Sequence, residues 1–166
     1  METQPTTLAS VIDQFHLQTR LFENVVKDFR EEHLHERLNG ITNHVAWIIG
    51  HLVSGRYLAA FVLGVPAREP FPELFAKGKG LDEHVSYPSL AELTKDWPSI
   101  SEKLLARLET LTERELNSEA PVPSPMTPRN QTLRGFITFI SHHEAYHIGQ
   151  LGILRRYFDL EAMRYG

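Results

Sequence analysis

The chain has 166 residues, 42% of them hydrophobic, and a formal net charge of −4. That length suits one domain with a substantial core, and its 17 scattered basic residues give neither the dense positive face that nucleic acid needs nor a basic patch for an anionic membrane. Cysteine is absent, which excludes disulfides, thiolate-ligated zinc and a cysteine nucleophile.

Residues 1–8 are polar and lack the cationic start and apolar run of a signal peptide. No stretch reaches the roughly 20 uninterrupted apolar residues of a membrane span. The expectation is a cytoplasmic protein with one domain over residues 1–166. Apolar residues then recur at helical steps. Leu8, Val11, Ile12, Phe15, Phe22, Val25, Val26 and Phe29 predict a first helix over about residues 7–31, N-capped by Thr6 or Thr7. A polar turn, His33–Gly40, follows. The second helix, about Thr42 to Leu63, is apolar on most sides, as a central buried helix would be, and Gly64 and Pro66 end it.

Residues 65–88 form a long connection rich in proline, glycine and aromatics. Ser89-Leu-Ala-Glu92 is a capping box that starts the third helix, which Pro98 kinks or restarts. Leu104, Leu105, Leu108 and Leu111 carry its core stripe. A second connection, 114–131, contains four prolines. The fourth helix runs from about Thr132 to Tyr157, with Arg155 and Arg156 in the last turn, where cations suit the helix dipole. The pattern predicts an all-α four-helix bundle, with 65–88 long enough for a crossover.

Nine histidines are many for this length, and three stand inside apolar stripes. The fourth helix reads Leu133, Phe136, Ile137, Ile140, then His143 and His147, then Leu151 and Leu154. Two imidazoles four residues apart project from one face and can share a metal ion. On the second helix His44, Trp47, Ile48, His51 and Leu58 lie along one face, so His51 can complete a three-nitrogen site, with His44 as the rival third ligand. A single histidine on an apolar face is ordinarily a hydrogen-bonded core residue. Several in one core are hard to explain without a bound ion, because an unpaired buried imidazole costs about 1–3 kcal/mol. His142 points about 100° away from the pair. His16, His33, His35 and His84 read as surface or turn residues. His143-Glu144-Ala145-Tyr146-His147 also fits the zinc-protease pattern His-Glu-x-x-His, with Glu144 as general base. The longer metzincin pattern would need histidine where Ile153 stands, and no strand is predicted to hold an extended peptide. Glu144 is read instead as lying beside the site.

With Asn43, Trp47 and Gly50-His51-Leu52 on the second helix, and His143-Glu-Ala-Tyr-His147-Ile-Gly-Gln150-Leu on the fourth, the chain resembles the DinB-like (DinB/YfiT) superfamily of metalloenzymes. The resemblance spans the chain in length and helix order. It implies a four-helix bundle of unusual connectivity and a metal held by one histidine of the second helix and two of the fourth, which map onto His51, His143 and His147. It also implies a homodimer. Some relatives use low-molecular-weight thiols.

Three neutral imidazoles leave a divalent metal its full charge and an open position, the catalytic arrangement. Zinc, nickel and iron all suit such ligands. With no cysteine, a sulfur nucleophile would come from a small thiol cosubstrate. The first expectation is therefore thiol transfer to a small electrophilic substrate, with Glu144 or His142 as proton shuttle and Asn43, His44, Arg56, Tyr57 and Tyr146 lining the pocket. The alternatives are a hydrolase that activates water, or a non-catalytic metal-binding dimer.

Overall fold

A computed structural model describes residues 8–76, 78–123 and 131–165. Over these residues the chain is helical, and its only extended pairing is a single bridge between Glu119 and Thr132. In chain order the helices are α1 (Ala9–Val26), α2 (Val45–Val62), α3 (Pro72–Phe75), α4 (Leu90–Thr94), α5 (Trp97–Glu109), α6 (Glu113–Leu116) and α7 (Leu133–Tyr157). α1 packs against α5 and α7, and α2 packs against the same two. By length and composition α2 could cross a membrane, but most of it is buried inside the protein.

The helices bury two apolar clusters. One joins Phe22, Val25, Ile48, Leu52, Trp97 and Leu151. The other joins Phe15, Ala59, Val62, Leu104, Phe136 and Ile140. Each long helix runs from one cluster into the other, and at the change it contributes buried polar side chains: Gln18 from α1, Arg56 from α2, Ser101 from α5, Ser141 and Glu144 from α7. Buried polar groups are ordinarily hydrogen-bonded; Ser101 bonds the Trp97 carbonyl of its own helix, and Gln18, Arg56, Ser141 and Glu144 bond across helices. The Gln18 amide donates to the Ser141 carbonyl at 2.7 Å, and the Ser141 hydroxyl donates to Gln14 at 2.8 Å. His51, His143 and His147 lie at this same level of the helices.

Several boundaries differ from the pattern. α1 ends at Val26, five residues early, because Lys27 turns extended and Asp28 takes a left-handed conformation, φ 67°. Its last carbonyls are held by Arg155, which donates to Val25 O at 3.1 Å and to Lys27 O. Arg155 thus caps a neighbouring helix rather than merely complementing the dipole of its own. Thr6 and Thr7 lie outside the described residues. α2 begins at Val45, and His44 is its N-cap, with Nδ1 accepting the Trp47 N–H at 3.0 Å. His33 is buried rather than superficial: Nδ1 accepts the Arg30 N–H at 3.1 Å and the ring stacks on Phe158. Ser89 caps α4 through the expected box, and Pro98 sits in the first turn of α5, where its missing N–H costs nothing. The long connections carry α3 and α6. Residues 124–130 of the second connection lie outside the described part.

α3 is placed by a missing side chain. A Cβ on Gly50 would come within 2.1 Å of the Phe75 ring, which fills that space, and the Ser54 hydroxyl donates to the Phe75 carbonyl at 3.1 Å. Gly50→Ala is therefore expected to lose about 1–3 kcal/mol through overpacking and to release α3 from α2. Limited proteolysis would then cut the 65–88 segment faster than in the unmodified protein. Unchanged cleavage and unchanged stability would show that Phe75 does not rest there.

Candidate metal centre

His51 comes from the middle of α2, and His143 and His147 lie one turn apart on α7. The Nε2 atoms of His51 and His143 are 3.0 Å apart, and those of His143 and His147 are 3.1 Å apart. One ligand atom from each of the three residues falls within 4.8 Å of the others. Two nitrogens on a tetrahedral zinc would be separated by about 3.3 Å, given zinc–nitrogen bonds of about 2.05 Å. Two of the three separations are therefore already close to those of a metal-ligand cluster.

The surroundings prepare the nitrogens for that role. His147 Nδ1 lies 2.7 Å from Gln150 Oε1. An amide oxygen only accepts, so Nδ1 carries the proton and Nε2 keeps its lone pair. Trp47 stacks on His51 with ring centroids 4.5 Å apart and holds its plane. Burial, followed by the neighbouring imidazoles, lowers the pKa of His51 to about 3 and that of His143 to about 4; burial lowers His147 as well. All three are neutral at pH 7. The Nδ1 atoms of His51 and His143 are buried with no hydrogen-bond partner among the described residues. Three uncharged rings with converging Nε2 atoms fit a divalent cation.

The depressed values set the acid response. These folded pKa values lie below the ordinary histidine value of 6.5. Stability is thus complete above pH 6.5 and is lost as pH falls from there towards about 4 and 3, because the unfolded chain takes up protons that the fold resists. Denaturation midpoints of metal-free protein should fall steeply between pH 6.5 and 4, and much less steeply in a His51→Ala, His143→Ala double variant. Parallel slopes for the two proteins would contradict the shifts.

The triad opens on a chamber of about 520 Å³ between α2, α7 and the 65–88 connection. His51 and His143 form one end. Leu58, Phe61, Phe136 and Phe139 form apolar walls, with Ser54, Tyr57 and Glu69 as polar points. Of the pocket residues expected from the sequence, Tyr57 lines this chamber. Tyr146 is exposed, its ring centroid 5.0 Å from that of His147. Asn43 precedes α2, and His44 lines a separate polar cleft with His35, Arg37 and Tyr87. With Nδ1 committed to the cap, His44 is not drawn into the triad.

Two expected proton shuttles stand elsewhere. Glu144 is fully buried in the core, where Arg56 Nε and Nη2 donate to its two oxygens at 2.8 and 2.9 Å. Burial raises its pKa and the Arg56 guanidinium opposes the rise. A carboxylate clamped this way is part of the packing and does not face the chamber. Arg56 is likewise withdrawn from the pocket. His142 is exposed on the groove between α1 and α7. Glu69 and Ser54 were not legible as site residues, because the segment that brings Glu69 to the histidines has no periodic pattern; the aromatic run Pro70–Phe75, which the sequence offers as a lid over the site, a dimer contact or a loop packed on the bundle end, gives Phe75 to the chamber wall.

The family model described as the DinB superfamily matches residues 14–151, a span that holds all three histidines and Gln150. No curated protein matches the chain.

Proposed function

The chain belongs to the DinB superfamily, and on that premise we propose that it is a metal-dependent enzyme that activates a low-molecular-weight thiol for transfer to a small electrophilic substrate. The observation that carries the proposal is the convergence of three neutral imidazoles, two of them at the end of an apolar chamber. A divalent cation, zinc or nickel by ligand type and iron as a further candidate, supplies Lewis acidity that lowers the pKa of a thiol or of water. The protein's own contribution is orientation and exclusion. Gln150 and Trp47 fix two of the rings, and the phenylalanine walls keep competing water from the electrophile. The chain contains no cysteine, so the sulfur is the cosubstrate's.

The fold reading that goes with this is a four-helix bundle of α1, α2, α5 and α7, with 65–88 as its crossover; the shared packing of α1 and α2 on α5 and α7 supports it. A cytoplasmic homodimer completes the proposal, and the exposed Tyr146, Ile153 and Tyr157 of α7 offer an apolar contact surface. The test is consumption of small thiols with model electrophiles by zinc- or nickel-loaded protein. Thiol-dependent turnover that disappears on metal removal is expected. Turnover with water alone would make the protein a hydrolase, and binding without turnover of either kind would make it a metal-stabilised interaction module.

A further inference from the structure

The chamber holds an acidic group that the metal site does not use. Glu69 lines it, and among the described lining residues there is no lysine or arginine. Glu69 Oε1 is buried and has no hydrogen-bond partner among the described residues. Burial raises the pKa of this carboxyl, the adjacent Ser54 side chain opposes the rise, and the Glu73 carboxylate adds to it. A buried carboxyl oxygen left without a partner is costly, and a positive ligand would relieve that cost.

The rest of the wall favours the same kind of ligand. Tyr57, Phe61, Phe75, Phe136 and Phe139 surround the space with aromatic rings, and ring faces attract organic cations. An anionic ligand would meet Glu69 with no lining cation among the described residues to balance it, and a wholly apolar one would leave Glu69 Oε1 unpartnered. The position is also informative. Ser54 follows His51 by three residues on α2, about 4.5 Å of helical rise. A ligand anchored at Glu69 therefore sits about one turn from the histidines, with the remaining length of the chamber running towards Phe61 and Phe136. A volume of about 520 Å³ suits a small organic molecule.

We propose that this chamber binds a small organic amine, its ammonium group against Glu69 and its apolar body among the aromatic side chains. Naming the amine as the substrate rests on the metal-dependent reading above; its binding does not. The test is calorimetric titration of the full-length protein with phenethylamine, phenethyl alcohol and phenylacetate, before and after treatment with a chelator. In chelated protein the amine is expected to bind about tenfold or more tighter than the alcohol, with phenylacetate weakest. Glu69→Gln is expected to erase the amine's advantage while leaving the alcohol's affinity in place, which also shows that the variant is folded. Equal affinities, preference for the anion, or an amine advantage that survives Glu69→Gln would overturn the proposal. Metal content of the same samples separates the two readings. Stoichiometric metal without amine preference removes this inference alone, and amine preference in protein that takes up no metal removes the catalytic reading alone.

Discussion

His143→Ala is expected to abolish stoichiometric metal binding while the protein stays folded. His143 is the middle member of the triad, its Nε2 lying 3.0 and 3.1 Å from those of the other two rings. Its loss leaves two nitrogens on different helices, and a decrease in affinity of about a hundredfold or more follows when a three-ligand site becomes a two-ligand one. Elemental analysis of the unmodified protein and the variant, each incubated with zinc and with nickel, measures it directly. Added metal should raise the melting temperature of the unmodified protein and not that of the variant, since only binding to the folded state stabilises. Gln150→Ala should give the intermediate result, a loss of roughly 10–100-fold, because it frees the tautomer and orientation of His147 without removing a ligand. An unmodified protein that takes up no metal would sink the proposed function, and a His143→Ala protein that binds normally would move the site elsewhere.

The second large effect is structural. The Arg56 side chain is 0% exposed and that of Glu144 is 1% exposed. Beyond its two bonds to Glu144, Arg56 donates to the Thr19 hydroxyl at 2.9 Å, and its guanidinium carbon lies 4.1 Å from the centre of the Trp97 ring. One side chain of α2 thus contacts α1, α5 and α7 in the polar layer between the two apolar clusters. Removing a single partner strands a buried charge, so Glu144→Ala is expected to cost about 3–5 kcal/mol. For a chain of this size that corresponds to a fall in melting temperature of about 10 °C or more. Replacing both partners, Arg56→Met with Glu144→Leu, should recover most of the loss, because two apolar side chains need no partner. Chemical denaturation of the two single variants and the double variant gives the coupling. A Glu144→Ala loss below about 1 kcal/mol would mean that the pair is solvated, since exposed pairs contribute no more than that. The same variants bear on the proposed thiol transfer: full turnover in the double variant would show that Glu144 moves no proton in it.

Much of this was legible from residue order, because helical periodicity depends only on neighbours three and four positions apart. The stripe through Leu133, Phe136, Ile140, His143 and His147 marks both α7 and the face on which two ligands sit. Two apolar helix faces interrupted by histidine were enough to nominate His51, His143 and His147, and the structure brings these three together. Ser89 and Glu92 specify a capping box within four residues, and it forms.

What the sequence could not separate was a polar residue in the core from a polar residue in the site. Glu144 adjoins His143 and fits a protease pattern, yet on a helix adjacent side chains diverge by about 100°, and that angle turns Glu144 to Arg56 instead of the chamber. His44 shares the apolar face of His51 on a helical wheel, but α2 starts one residue after it, so its ring caps the helix. The 65–88 segment has no period from which to infer its path, and its course depends on long-range contacts such as Phe75 against Gly50 and Arg37 with Glu83, which lie far apart in the chain. By itself the sequence determined the long helices, their buried faces and the three imidazoles, since each rests on local spacing. Only the tertiary structure decided which buried charges pair with each other and which face the cavity, because that depends on contacts between residues far apart in the chain.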